Sequence, residues 1–264
     1  MSERTYGYVL SGLLATERLA ELAGRAETLG YDSLWITVLA GSTDAPAAIR
    51  EALLATDRIE VGLGLVPVGV VPLDQLASEI RRSGAVHRAV VAIGAGQVRT
   101  GAAARVTAEL RELSERLPDL ALAAGGYGPR VLARGGAVAG SLLLNWSSPA
   151  HTDWALTQGA LDRGPEQSPV SATVYVPISV GPDARTVVDD HLAVMAGQPT
   201  HANHQDTWGR SSLGFAARSF PEASAALDQM RRPDRRIVAL PLLEDPLDTE
   251  DFMVALAPGA AAMP

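Results

Sequence analysis

The residues best placed to act on a ligand are glycines in the turns that follow short apolar runs. Gly125-Gly126-Tyr127-Gly128-Pro129-Arg130 comes after one such run and opens a helix. Glycine lets the backbone come close to a ligand, free N–H groups at a helix start attract an anion, and Arg130 adds a charge-assisted donor. The segment can therefore hold a phosphate, or be no more than a turn with proline at the first helical position. Gly94-Ala95-Gly96-Gln97 is a second small-residue turn, and Gly62-Leu63-Gly64-Leu65-Val66-Pro67 sets glycines beside an aliphatic wall. Such a wall suits a planar ring, and it also suits an ordinary barrel interior. Asn145-Trp146-Ser147-Ser148-Pro149 supplies an amide, an indole and two hydroxyls. Asn145 can donate and accept, Trp146 can stack, and the serines can cap the next helix.

Other chemistries find less support. His87 precedes a strand, His151 stands in a first helical turn and His191 lies within a helix. His201, His204 and Asp206 fall in a stretch with no clear period. His-x-x-His can ligate a metal, but no further ligand pattern accompanies it, so no metal site is expected. No Gly-x-Ser-x-Gly elbow marks a serine hydrolase. Glu244 and Asp245 are adjacent carboxylates after the last strand, the one acid–base pair so placed for a cofactor-free lyase or isomerase. The chain has no cysteine and no lysine, and all 22 basic side chains are arginine. Thiolate and Schiff-base catalysis and the Walker phosphate loop are thereby excluded.

The net charge of −8 gives no basic surface for a phosphate backbone. The densest basic stretch, Arg231-Arg232-Pro233-Asp234-Arg235-Arg236, is interrupted and reads as a solvated helix-to-strand loop. No apolar run reaches membrane-spanning length, and Met1-Ser2-Glu3-Arg4-Thr5-Tyr6 has no signal-peptide pattern. A cytoplasmic protein that binds neither nucleic acid nor membrane is expected.

The elements that would position these residues alternate along the chain. Strands are expected at Thr5–Leu10, Ser33–Val38, Ile59–Val66, Ala89–Ile93, Leu120–Ala124, Ser141–Asn145, Ser171–Val180 and Arg236–Leu242. Helical spacing covers Thr16–Leu29, Pro46–Thr56, Pro72–Gly84, Gly101–Leu117, Pro129–Ala137, Ala150–Leu161, Ala184–Met195, Pro221–Arg231 and Thr249–Leu256, with an irregular stretch from Met195 to about Phe220. Prolines at entries and glycines at exits punctuate the pattern. Eight strand–helix units whose strands read as near-continuous apolar runs predict a single α/β domain over residues 1–264, a (β/α)8 TIM barrel with a frayed tail from about Ala257. In such a barrel the site lies where the strands end, where the glycine turns fall.

Several segments together resemble the luciferase-like oxidoreductases. Ala20-Glu21-Leu22-Ala23-Gly24-Arg25-Ala26-Glu27-Thr28-Leu29-Gly30-Tyr31-Asp32-Ser33-Leu34-Trp35 is similar to that family's first helix and second strand. Thr56-Asp57-Arg58-Ile59-Glu60-Val61-Gly62-Leu63-Gly64 is similar to its third strand, Ala124 to Arg130 to its phosphate turn, and Leu142-Leu143-Leu144-Asn145-Trp146 to its sixth strand. The resemblance runs in order over residues 5 to 220. It implies an enzyme that uses reduced FMN or the deazaflavin coenzyme F420 for hydride transfer or monooxygenation of a small organic substrate. It also implies that Gly64, Leu65 and Val66 lie under the ring, where the family often has a non-proline cis peptide. Gly94, Ala95 and Gly96, with Gly125, Gly126, Tyr127, Gly128 and Arg130, would hold the ribityl chain and phosphate. Asn145, Trp146 and His204 are candidates for shaping the pocket, and a homodimer is expected. The chain departs from the family where Trp35 is followed by Ile36-Thr37 rather than Asp-His or Glu-His, where Gly140-Ser141 replaces Asp-Gly, and in its shorter length. Those departures keep open a non-catalytic cofactor-binding or interaction protein on a decayed barrel.

Overall fold

The structure is a computed structural model that describes residues 6–42, 44–243 and 245–258. Expectations that fall on Thr5, on Glu244 and on the tail past residue 258 lie outside the described residues. The first half runs β1 (Gly7–Leu10), α1 (Thr16–Thr28), β2 (Ser33–Ile36), α2 (Ala45–Leu54), β3 (Glu60–Pro67), α3 (Leu73–Arg82), β4 (Ala89–Gly94), α4 (Ala102–Arg116), β5 (Ala121–Gly125) and α5 (Pro129–Ala139). The second half runs β6 (Ser141–Asn145), α6 (Pro149–Ala160), β7 (Ser171–Val180), α7 (Ala184–Met195), α8 (Pro199–Trp208), β8 (Phe215–Ala217), α9 (Phe220–Met230), β9 (Arg235–Pro241) and α10 (Thr249–Leu256).

Eight of the strands pair in parallel in the order β6-β5-β4-β3-β2-β1-β9-β7, and β6 also pairs with β7. The ring is therefore closed, as the eight alternating units predict: a (β/α)8 TIM barrel. Two features correct the expectation. The stretch from Met195 to Phe220 is not irregular, because it contains α8 and β8. The three residues of β8 extend the sheet by pairing with Ile178–Val180 at the end of β7, outside the ring. The strand expected to be eighth in the chain is therefore the ninth. Ala257, at the start of the tail, is buried.

Two apolar layers form. The larger lies between sheet and helices, fed by faces such as Leu73, Leu76, Ala77 and Ile80 on α3. The smaller fills the barrel interior with Val9, Trp35, Val90, Ala92, Ala123, Leu143, Tyr175 and Val238. Small residues on β3, β4 and β5 make room there for large ones from the other strands. A Cβ on Gly62 would fall inside the Trp35 indole, and one on Gly64 would meet Ala92 and Leu143 at 2.8 Å. Glycine at Gly62 is a packing requirement of the Trp35 ring, and at Gly64 of the Ala92 and Leu143 side chains.

The seam at the ends of the chain is fastened by tyrosines. Tyr8 Oη donates to the Thr249 carbonyl at 3.0 Å, Tyr31 Oη to that of Met253 at 2.7 Å, and Tyr6 Oη to that of Leu256. Burial raises the pKa values of Tyr8 and Tyr31 far above the usual phenol value, so both stay donors at any ordinary pH.

Candidate functional site

All eight ring strands end on one face, and the interior positions nearest that face set its floor. Side chains alternate across a strand, so Leu143 pointing inward puts Asn145 inward as well, at the mouth. The Gly64–Leu65 peptide is cis, at the position the family resemblance implies, and the register of β3 against β4 shifts between Leu63 and Val66. That shift turns Leu65 inward. Its half-buried side chain lies along the neighbouring wall, over Gly94 and Gly125, which are paired in register on β4 and β5. A Cβ on Gly125 would collide with the Leu65 methyls, and one on Gly94 would lie 3.3 Å from them. The glycines at the ends of β4 and β5 thus accommodate Leu65 first, and Leu65 with Leu240 of β9 forms an apolar floor. Beneath it Tyr175 Oη donates to the Gly64 carbonyl at 3.1 Å.

The other expected residues are distributed as follows. Val66 is buried on the outer face, in the core under the helices, and Ala95 packs against that same core. Gly96, at φ 55°, lies against Pro67. Gly126 faces Val131, while the space where Gly128 would carry a side chain is open. Gly128 caps the start of α5, with Arg130 exposed in its first turn. Asn145 Oδ1 is buried and has no hydrogen-bond partner among the described residues. Trp146 does not enter the mouth. It has a positive φ of 51°, and its ring is buried with Val188, Leu192, Leu213 and Leu242 beside Gly214. That backbone region is uncommon for residues with a side chain, and the turn sends the indole outward.

His204 belongs to a cluster that sequence reasoning missed. Its Nε2–H donates to the Trp146 carbonyl at 2.7 Å, and its ring stacks on Tyr127 with centroids 4.0 Å apart. His151, wholly buried on α6, meets His204 at 4.5 Å and Trp208 at 5.0 Å, and its Nδ1 lies 2.7 Å from Ser147 Oγ. Trp154 stacks on His151, and His201 meets Tyr127 edge-on. These rings adjoin a cavity of about 430 Å³ between α5, α6 and α8, lined by Tyr127, Trp154, His204 and Trp208 among others. Burial lowers all three imidazole pKa values, that of His151 to about 3 with a further push from His204. The rings are therefore neutral at pH 7 and act as aromatic packing. A signal was present in the sequence: Pro199 at a helix entry, then His201, His204 and Trp208 at helical spacing, then Gly209. Among the described residues no group of three or more His, Asp or Glu can hold a metal.

α8 clasps one sector of the mouth. Its preceding residue Gln198 accepts from Gln97 Nε2 of the loop after β4 at 3.2 Å, and His204 reaches the end of β6. Asp245 is exposed and accepts locally from Leu247 N at 2.9 Å, so nothing described draws it into an acid–base pair. At the opposite end of the barrel, Arg231 to Arg236 border another cavity. There Arg235 pairs with Asp153 at 2.6 Å and with Asp234 at 3.1 Å, while Arg236 pairs with Glu60. Two arginines of the densest basic stretch are thus tied into ion pairs, and Arg232 donates to the Gln229 and Arg231 carbonyls. No described helix is long and apolar enough to cross a membrane.

No family model matches the chain, and no curated protein matches it. Solved structures do. An F420-dependent secondary alcohol dehydrogenase, solved with an F420–acetone adduct, is 16% identical; the match covers 98% of this chain and 99% of that one, with a TM-score of 0.74. A coenzyme F420-dependent tetrahydromethanopterin reductase from Methanopyrus kandleri is 15% identical over 97% and 98% of the two chains, with a TM-score of 0.68. The oxygenating constituent of 3,6-diketocamphane monooxygenase from Pseudomonas putida, solved with FMN, is 11% identical over 98% and 97%, with a TM-score of 0.66. At such identities the likeness is one of fold: over nearly its whole length this chain shares the barrel fold of these F420-dependent and FMN-bound enzymes.

Proposed function

We propose that residues 1–264 form one domain that works as a luciferase-like oxidoreductase, binding coenzyme F420 or reduced FMN at the barrel mouth and acting on a small organic substrate. The observation that carries this reading is the make-up of the mouth. An apolar floor of Leu65 and Leu240 lies beside the orphaned Asn145 Oδ1 and an arginine-bearing helix start with open space at Gly128. These residues fit a planar ring with a phosphate tail. The floor takes a ring face, the buried amide oxygen of Asn145 accepts from a ring-edge N–H, and the first turn of α5 with Arg130 receives the phosphate. The likeness to F420- and FMN-dependent enzymes supports the same reading.

The bound coenzyme would supply the hydride or oxygen transfer. Leu65 and Leu240 exclude water from one side of the ring, Asn145 fixes the ring's rotation, and Arg130 anchors the tail. His204 positions: its Nε2–H is committed to the Trp146 carbonyl, and its ring holds Tyr127 over the phosphate turn. A cytoplasmic homodimer belongs to this reading, with light scattering as its check.

Isothermal titration with F420 and, anaerobically, with reduced FMN tests the proposal. Binding of either is expected, with Arg130→Gln weakening it about tenfold, as loss of one exposed charged hydrogen bond implies. Failure of both coenzymes to bind would end the reading. A second reading is favoured by Leu65 lying across Gly94 and Gly125 and by Ile36-Thr37 in place of an acidic–histidine pair: a cofactor-binding protein without catalysis. Binding with no turnover of alcohols, ketones or imines would select it.

A further inference from the structure

The rim of the mouth is chemically divided, and the division bears on the substrate if the oxidoreductase reading above holds. Leu13, Leu39, Val70 and Leu247 are 49%, 48%, 60% and 68% exposed. They stand in the loops after β1, β2, β3 and β9, strands that are consecutive around the ring as β9-β1-β2-β3. The loops approach one another: a Leu13 methyl lies 4.0 Å from where Gly41 would carry a Cβ. The floor residues Leu65 and Leu240 come from two of the same four strands. The ionisable side chains among the described residues of these loops are Asp44, Asp245 and Asp248, all carboxylates. On the opposite arc, Arg99 after β4 and Arg130 at the start of α5 are exposed.

Scattered exposed leucines are ordinary, but four large apolar side chains on one continuous arc of a ligand-binding face mark a surface that is covered in use. The arc stands above β3 and β9, the strands that carry the apolar floor, so an apolar molecule on the arc has a path of like chemistry into the mouth. Its carboxylates repel an anion, its loops carry no described cation, and the adjoining Arg18 in the first turn of α1 is already held by Glu21 and Glu250. We propose that this arc receives the substrate, that the substrate is a small uncharged aliphatic molecule, and that the phosphate-bearing part of the coenzyme keeps to the Arg99–Arg130 side. An uncharged chain gains by burying methylenes against Leu39 and Val70, whereas a carboxylate of equal length loses its hydration beside like charges.

Calorimetric titration of the full chain with straight-chain alcohols from butanol to octanol, and with octanoate, tests this with and without coenzyme. Affinity is expected to rise by up to about fourfold per methylene, and octanoate to bind at least about tenfold more weakly than octanol. Leu39→Ser and Val70→Ser should flatten the chain-length dependence, while Leu54→Ser, exposed at the far end of α2, should leave it unchanged. No chain-length dependence, or equal binding of octanoate, would overturn the proposal. So would a dimer that the two rim variants dissociate while octanol affinity stays constant, because a second copy would then be what covers the arc. The outcomes separate from the coenzyme test. An intact alcohol series without coenzyme binding sustains the apolar arc and removes the redox reading; coenzyme binding without the series does the reverse.

Discussion

Tyr175 shows what a single side chain contributes here. Its hydroxyl is the partner of the Gly64 carbonyl in the buried barrel interior, so Tyr175→Phe leaves a buried acceptor unpaired. A loss of about 1–3 kcal/mol is expected from denaturant unfolding. The histidines predict a pH dependence of definite sign. The folded chain keeps His151 neutral down to about 3, chiefly by burial, whereas an unfolded chain protonates it near its ordinary 6.5. Unfolding therefore takes up a proton between those values. Stability should be intact above pH 6.5 and fall as pH drops toward 3, by at most about 1.4 kcal/mol per pH unit for this group. His201 and His204 are shifted in the same direction. Urea midpoints at pH 7 and 5 should differ, and His151→Phe should narrow the difference. The histidines were hard to read because each carries its usual metal or catalytic associations. Only tertiary packing shows that they serve as aromatic rings.

At the scale of elements, the fit of Leu65 on β3 over the ends of its neighbours β4 and β5 is the most exacting. Gly125→Ala would put a methyl into Leu65, and a cost of about 1–3 kcal/mol is expected from overpacking. Leu65→Ala in the same chain should recover part of it, a coupling that a double-mutant cycle measures. Strands β1 to β7 lie within two residues of the sequence expectation, because continuous apolar runs between glycine and proline are hard to mistake. α8 was missed because its buried face is built from His204 and Gln205 rather than aliphatic residues, and β8 because three residues hold no period. The glycine turns were legible as glycine turns, but not which cavity each one serves. Gly62 makes room for the chain's own Trp35, Gly64 for Ala92 and Leu143, and Gly94 and Gly125 for Leu65, and a single sequence does not carry those pairings. Amide exchange offers a test of the clasp: His204→Ala should speed exchange across Pro199–Trp208 and leave β4 and β5 protected.

For the whole molecule, closure depends on the last helix. Phe252, Met253 and Leu256 of α10 are buried, and carbonyls from Thr249, Met253 and Leu256 accept the three tyrosine hydroxyls that hold β1 and the approach to β2. A chain ended at Asp248 would strip both the apolar contact and those acceptors, and it should lose the single cooperative thermal transition expected of the full chain. The closed ring also sets the optical behaviour of Trp35. Its indole lies on the interior wall with Nε1 bonded to nothing described, against the edge of Tyr175 and one layer below the mouth. An indole so shielded emits at short wavelength and is hidden from aqueous quenchers, unlike one nearer the surface. Any molecule that settles on Leu65 and absorbs in the near ultraviolet would dim that emission by energy transfer, so the chain carries its own reporter of occupancy at the place where occupancy matters.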